Sequence, residues 1–315
     1  MNNLDSVFED ALPPDHRSGV VAVVGRPNVG KSTLINRILQ QKIAIVSPKP
    51  QTTRRQQLGI YTQPDVQILF VDTPGLHKPQ HKLGEFMVRV AEDALQDADL
   101  ILWVLDLAEI PQDADRYIAE SITRARGETP VVLALNKADL VSTADRVLRM
   151  AAYSALVPNV NAAVISAATG EGVEALVADL HQRLPLGPRY YPADQVSEVN
   201  LRFIASETIR EKIIHHTDQE IPYSVAVDIE EYKERSESLS YISAIIYVER
   251  DSQKGIIIGK NGAMLKKIGS EARTDLAGIL DTSIYLDLHV KVLKNWRSDE
   301  DLMRRLGYRI PKHED

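Results

Sequence analysis

Val20-Val21-Ala22-Val23-Val24 runs straight into Gly25-Arg26-Pro27-Asn28-Val29-Gly30-Lys31-Ser32, and a helical pattern continues from Ser32 to Gln40. The octapeptide fits G-x-x-x-x-G-K-[ST]. Its glycines let the backbone curl so that N–H groups point inward at a phosphate, and a helix starting near Lys31 adds its positive dipole end. In such a loop Lys31 reaches the β- and γ-phosphates and the Ser32 hydroxyl ligates Mg²⁺. The motif needs an apolar strand before it and a helix after it, and both patterns are present. A chance glycine-rich turn is the alternative.

Outward from this loop, short apolar runs alternate with helical stretches. The runs Val20–Val24, Val66–Val71, Leu100–Leu105, Val131–Leu135 and Ala162–Ile165 are apolar on both faces, as buried parallel strands are. Between them lie candidate helices at Ser32–Gln40, Gly84–Asp97, Asp113–Arg126 and Val173–Leu184. This alternation predicts an α/β domain with a mostly parallel, doubly wound sheet over residues 19–184, preceded by a tail at 1–18. Gln57–Thr62 is predicted as an antiparallel edge strand.

Pro185, Pro188 and Pro192, with Gly187, punctuate a linker at 185–200. The pattern then changes to α+β over 201–315. It has a helix at Leu201–His215, strands near Tyr223–Ile229 and Tyr241–Glu249, and a short helix at Ser252–Ile258. A glycine turn, a helix at Ala263–Leu276, a strand at Ser283–Leu293 and a helix near Ser298–Leu306 follow. The charged run Glu230–Glu237 reads as a solvated hairpin loop.

The chain has 315 residues, 44% of them hydrophobic, enough for two ordinary domains. Its 37 basic and 44 acidic residues leave a net charge of −7, which excludes a uniformly basic nucleic-acid coat but not a local basic patch. The absence of cysteine excludes disulfide scaffolds, cysteine zinc sites and thiol catalysis. No secretory signal or membrane-spanning stretch is evident, so the reading is a soluble cytoplasmic protein. His215, His216, His77 and His81 lack metal-ligand spacing.

Three further elements select the base and the reaction. Asp72-Thr73-Pro74-Gly75 follows the strand Val66–Val71. A carboxylate at a strand's end holds Mg²⁺ through water, and the Gly75 N–H meets the γ-phosphate; a turn or helix cap is the alternative. Asn136-Lys137-Ala138-Asp139 follows the strand Val131–Leu135. An ionised Asp139 pairs with the ring N–H and amino group of guanine, which adenine cannot match. Asn136 steadies the loop and the Lys137 stem packs on the base, whereas the alternative makes Asp139 a helix cap. Ser166-Ala167-Ala168 offers a backbone N–H to the guanine carbonyl. In Pro50-Gln51-Thr52-Thr53-Arg54 a threonine, Thr53 in preference to Thr52, places its hydroxyl on Mg²⁺ only in the triphosphate state.

Together these elements resemble the signatures of the translation-factor-like GTPases. Ile257-Ile258-Gly259-Lys260-Asn261-Gly262 resembles the G-x-x-G loop of a KH domain. The stretches Pro188-Arg189-Tyr190-Tyr191-Pro192 and Ile221-Pro222-Tyr223-Ser224-Val225 are similar to those of the Era family, bacterial ribosome-assembly proteins with a TrmE-Era-EngA-like GTPase domain and a C-terminal KH domain. The resemblance spans about Gly19 to Pro311. It implies an α/β P-loop GTPase domain followed by an α+β type II KH domain. It also implies a nucleotide site of Gly25–Thr33, Asp72–Leu76, Asn136–Asp139 and Ser166–Ala168. Within it Lys31, Thr53, Asp72, Gly75 and Asn28 are the catalytic candidates, and Ser32, Thr53 and Asp72 the Mg²⁺ set. The implied partners are GTP and GDP, the 3′ end of 16S rRNA and the 30S subunit, with a peripheral inner-membrane association and no DNA. Asn28 resembles the asparagine that accompanies K⁺ in related GTPases. Leu76 stands where Ras-like proteins carry a water-positioning glutamine, which an alkyl chain cannot replace, so slow intrinsic turnover is expected.

For RNA, a G-x-x-G turn between helices clamps about four nucleotides. Lys254, Ile257, Gly259, Lys260, Asn261, Gly262, Lys266 and Lys267 are the contact candidates. From Ser252 to Arg297 eight basic residues stand against four acidic ones. The alternative makes the lysines a solvated face and at least one of Ile256–Ile258 core. Two other readings stay open: an ATP-using P-loop enzyme, which Asn136–Asp139 opposes, and a non-catalytic GTP-liganded module using its C-terminal domain for protein or membrane contacts. A tandem GTPase is excluded by the single phosphate loop.

Overall fold

The computed structural model describes residues 12–308 apart from 48, 50, 51, 78, 80, 158, 159, 198, 199 and 237. Most of the expected tail, Pro50 and Gln51 of the threonine loop, and the last seven residues therefore lie outside the described residues. The chain divides into two compact units. One comprises the chain up to Ala44, Thr53–Lys78 and Met87–Glu198; the other comprises Ile45–Thr52, Pro79–Phe86 and Val199 onward.

The first unit is a six-stranded sheet. Its strands are β1 (Arg17–Val24), β2 (Gln57–Gln63), β3 (Val66–Asp72), β4 (Leu100–Asp106), β5 (Val131–Asn136) and β6 (Asn161–Val164), in the spatial order β2-β3-β1-β4-β5-β6. Only β2 runs antiparallel, against β3. All residues of β3, β4 and β5 are buried, which is why these runs read as continuously apolar. Alternate residues feed two cores on opposite faces, for example Trp103 and Leu105 on one and Leu102 and Val104 on the other. The parallel register aligns the ends of the strands, pairing Val23 with Asp72 and Asp106 with Asn136. Functional loops therefore leave one edge of the sheet together.

Helices α1 (Lys31–Leu39), α2 (Lys82–Gln96), α3 (Asp113–Ala125), α4 (Thr143–Ser154) and α5 (Val173–Arg183) complete the α/β pattern. The sequence reading did not include α4. Ser142 caps it through its side chain, but Val147 and Leu148 are 61% and 72% exposed and only Tyr153 is fully buried. Met150 and Tyr153 turn toward the core, but the exposed Val147 and Leu148 beside them blur the helical periodicity. The stretch expected as a linker is tied along the sheet at several points. Ser18 Oγ donates to Pro188 O, Ile60 N donates to Val196 O, and Gln67 Oε1 accepts from both Tyr190 N and Tyr191 N.

The second unit holds α6 (Leu201–His216), α7 (Ile221–Ser224), β7 (Ala226–Ser236), β8 (Leu239–Val248), α8 (Asp251–Ile258), α9 (Ala263–Leu280), β9 (Ser283–Val292) and α10 (Glu300–Arg305). The three strands lie in the order β7-β8-β9, antiparallel then parallel. Ile268, Ala272 and Leu276, spaced one turn apart on α9, pack into a core with Ile242, Ala244 and Ile246 of β8. Burial of each such Ile or Leu side chain contributes about 1.5–3 kcal/mol. Two expectations are corrected here. Residues 221–224 form a helical turn with Pro222 in its first turn, so the strand starts at Ala226. The charged run up to Ser236 belongs to that strand rather than to a loop. β7 is a sheet edge interrupted by two register shifts, and charge on an edge suppresses pairing with other chains.

Candidate nucleotide and RNA sites

The phosphate loop leaves β1 with backbone angles that few side chains tolerate. Gly25 has φ +149°, and a Cβ there would lie 2.3 Å from Val104 O. Gly30 has φ +100°, and its Cβ would lie 2.2 Å from Asn136 Nδ2. Asn28 takes φ +65° at the exposed tip. Lys31 is buried, and its Nζ donates to the loop's own carbonyls, Gly25 O at 3.2 Å and Arg26 O at 3.0 Å. Burial lowers its pKa to about 8, against a partly offsetting attraction from Asp72. Arg26 points away from the loop. Its guanidinium meets Asp115 at 2.8 Å, Gln112 at 2.9 Å and Glu109 at 2.8 Å, anchoring the loop to the start of α3.

Asp72 is fully buried at the end of β3. Its Oδ2 accepts from Ser32 Oγ at 2.6 Å and Thr53 Oγ1 at 3.2 Å, and the two hydroxyls lie 3.1 Å apart. Its Oδ1 has no hydrogen-bond partner among the described residues. Burial raises the Asp72 pKa, with Lys31 and the two hydroxyls opposing. One orphaned carboxylate oxygen beside two hydroxyls is a hard-oxygen donor set of the kind Mg²⁺ takes, incomplete without phosphate oxygens and water. The residues present therefore fit that ion. Thr52 bonds instead to Lys49 O, so Thr53 is the threonine of this cluster.

Gly75 packs on the loop so closely that a Cβ would sit 2.7 Å from Pro27 N. Thr73 is buried, with its hydroxyl on Val23 O, a structural tie. Leu76 is buried in the core under the sheet, its N–H on Gly25 O. It is removed from any water-positioning role by location as well as chemistry.

At the end of β5, Asn136 joins two loops. Nδ2 donates to Val29 O and Oδ1 accepts from Ala167 N, both at 2.8 Å. Lys137 adopts φ +67°, and its ammonium meets Asp106 Oδ2 at 2.5 Å. Asp139 Oδ1 accepts from Ser166 Oγ at 2.6 Å, so these residues from two loops lie together. Asp106 was missed in the sequence. Asp106 ends a strand level with Asn136, a register signal visible only after strand pairing.

In the second unit the G-x-x-G turn lies between α8 and α9, with Gly259 at φ +72°, Asn261 at +52° and Gly262 at +76°. Lys260 and Asn261 are exposed, as are Lys266 and Lys267, while Lys254 is half-buried. Ile257 is corrected as an RNA contact: it is 0% exposed within the core, and Ile256, 50% exposed, is the isoleucine that faces outward. Beside the turn a groove is lined by Leu265, Lys266, Ser270 and Arg273 of α9 with Leu286 and Leu288 of β9. Gly269 keeps the helix close to that strand, since a Cβ there would lie 3.2 Å from Leu288 Cδ1. Arg273 and the three leucines were outside the sequence-derived set. Arg273 follows Lys266 by seven residues, two helical turns along one face.

Residues 20–137 match the family of 50S ribosome-binding GTPases, and residues 220–297 match the KH domain family. The chain is 47% identical over 292 residues to GTPase Era of Geotalea uraniireducens (strain Rf4), covering 93% of this chain and 98% of that one. It is also 47% identical to GTPase Era of Geobacter metallireducens over 293 residues, with the same coverage. The structure superposes on a single-residue variant of Aquifex aeolicus Era bound to GDP·AlF₄⁻ with TM-score 0.89 at 37% identity, covering 93% of this chain and all of the other. It matches Era in complex with MgGDPNP and nucleotides 1506–1542 of 16S rRNA with TM-score 0.90 at 38% identity, over 94% of this chain and all of the other. A P-loop GTPase domain and a KH domain occur here in one chain matched along nearly its whole length, and the chain belongs to the Era family of GTPases.

Proposed function

We propose that this GTPase binds GTP with Mg²⁺ through the first unit and the 3′ end of 16S rRNA through the second, acting in the cytoplasm in assembly of the 30S subunit. The observation that supports the nucleotide site best is the Asn136 side chain, which ties the phosphate loop to the loop bearing Ser166 and Ala167. One residue thereby sets the distance between the phosphate end and the base end of the site. For RNA, the support is the exposed Lys260-Asn261 turn beside the Lys266–Arg273 groove. A relative of the same architecture is seen with that RNA segment.

Within this reading each residue has a task. The backbone N–H groups of Gly25–Ser32 surround the phosphates at the head of α1. Lys31 exchanges its two carbonyl partners for phosphate oxygens, and Ser32, Thr53 and Asp72 would hold Mg²⁺. The ion, when bound, neutralises charge developing on the transferring phosphate. Asp139 accepts from the guanine ring N–H and amino group, and Ser166 keeps its carboxylate oriented. With Leu76 buried in the core, no side chain at that position orients the attacking water, so unassisted turnover is slow. The finer reading adds K⁺ beside Asn28, supported by the place of that residue at the exposed tip of the loop. A peripheral membrane association rests on family resemblance alone; among the described residues no helix is long and apolar enough to cross a membrane.

Asp139→Asn is expected to weaken GDP binding by roughly a hundredfold or more and to improve binding of xanthosine diphosphate. Displacement titrations measure both, and an unchanged guanine preference sinks the base site. Because Lys31 titrates near pH 8 before ligand arrives, protonated lysine is the form that pairs with phosphate. GDP affinity is therefore about tenfold weaker at pH 9 than at pH 7; calorimetry across that range is the check. Lys260→Asp combined with Asn261→Asp weakens binding of a 16S 3′-end oligonucleotide by at least tenfold and leaves GDP affinity unchanged, as read by fluorescence anisotropy. GTP turnover is faster in K⁺ than in Na⁺ buffer, and equal rates remove the K⁺ site.

A further inference from the structure

Five consecutive residues, Ser166 to Gly170, form the loop that faces the proposed base site, and four of their N–H groups are already committed. Ser166 N donates to Glu171 O at 2.9 Å, Ala167 N to Asn136 Oδ1 at 2.8 Å, Thr169 N to Ser166 Oγ at 3.1 Å and Gly170 N to Ser166 O at 2.8 Å. Only the Ala168 N–H of this loop has no acceptor among the described residues. Ala168 is exposed, so its amide is a donor available to solvent or to a bound ligand.

Arg37, in the last turn of α1, holds the other side of the same peptide. Its Nε donates to Ala167 O at 3.1 Å and its Nη2 donates to Ala168 O. A basic residue in the last turn commonly turns back to its own helix carbonyls; Arg37 instead reaches 130 residues along the chain. In a trans peptide the carbonyl of one residue and the N–H of the next point in opposite directions. Drawing the Ala167 carbonyl toward α1 therefore turns the Ala168 N–H away from α1. The second bond, to Ala168 O, limits rotation of the next peptide as well. A planar guanidinium presents its donors in a rigid fork, whereas the donors of an ammonium rotate freely.

We propose that Arg37 is a positioning residue for base recognition. By gripping the carbonyls of Ala167 and Ala168 it aims the Ala168 N–H at the six-position carbonyl of guanine. The proposal rests on the guanine-site reading above, in which this loop offers a backbone N–H to the guanine carbonyl; what it adds is the part played by Arg37. Arg37 itself touches neither base nor phosphate. It acts through the peptide it holds, so its loss affects one edge of the base.

The test compares three nucleotides on the full-length protein: GDP, 6-thio-GDP, whose sulfur is a poor acceptor at the six-position, and IDP, which lacks only the amino group that Asp139 reads. Dissociation constants come from displacement of a fluorescent GDP, with thermal melting run alongside. The wild type prefers GDP to both analogues. In Arg37→Ala, GDP binds roughly three- to tenfold more weakly, the preference over 6-thio-GDP shrinks toward one, and the preference over IDP stays at its wild-type value. Arg37→Lys, with one compact donor group, falls between, and it carries the same comparison if the alanine variant fails to fold. Equal preference over 6-thio-GDP in wild type and both variants overturns the role of Arg37 while leaving the base site standing. A parallel loss of preference over IDP also overturns it, because it marks general loosening. A wild type indifferent to sulfur at that position removes the loop's carbonyl contact altogether, and the proposal with it.

Discussion

The buried side-chain amide of Asn136 accepts from Ala167 N and donates to Val29 O, and the nucleotide end of the molecule is arranged around those two bonds. It is only 2% exposed, so a lost partner would leave a buried polar group unpaired at a cost of about 1–3 kcal/mol. The constraint propagates to the phosphate loop. Gly30 has no room for a Cβ because Asn136 Nδ2 lies 2.2 Å from where it would be. A glycine usually explained by phosphate geometry is here also required by the base loop. One amide thus couples the phosphate-loop backbone to the backbone of the proposed base loop.

The same economy holds at the ends of β1, β3, β4 and β5. Parallel strands in register bring Gly25, Asp72, Asp106 and Asn136 to one edge of the sheet. Burial makes the two charged groups there adjustable. Lys31 loses basicity and Asp72 loses acidity as water is withdrawn from each. Phosphate favours the charged form of the lysine and a divalent cation that of the carboxylate, which is why the site suits a metal–nucleotide pair taken as a unit. Arg26, bonded to Glu109, Gln112 and Asp115, steadies the loop from behind.

In the second unit the decisive feature is closeness. Gly269 lets α9 approach Leu288 of β9, and the groove beside that contact gathers Lys266 and Arg273 above an apolar floor of Leu265, Leu286 and Leu288. Stacked or splayed bases suit such a floor and phosphates suit its rim. Within a chain of net charge −7 the basic excess over Ser252–Arg297 is local.

Residues whose chemistry admits few substitutes were legible in the sequence. The phosphate loop, Asp72, Asn136 and Asp139 announced themselves by type and order, and unbroken apolar runs announced the parallel strands. Helix α4 was not legible because its apolar residues Val147 and Leu148 face solvent, and the second half of strand β7 was not because an exposed edge tolerates the charges that suggest a loop. Among Ile256, Ile257 and Ile258, composition cannot tell which is core; about 100° of helical rotation per residue decides it. The sequence by itself determined the fold class, the nucleotide class and the two-unit plan, since each rests on local pattern. Only the tertiary structure decided that Thr53 rather than Thr52 meets Asp72 and Ser32, that Leu76 lies in the core and that Arg37 grips Ala167. Those pairings join residues 19 to 130 positions apart, and strand register and side-chain direction, which no local pattern encodes, bring them together.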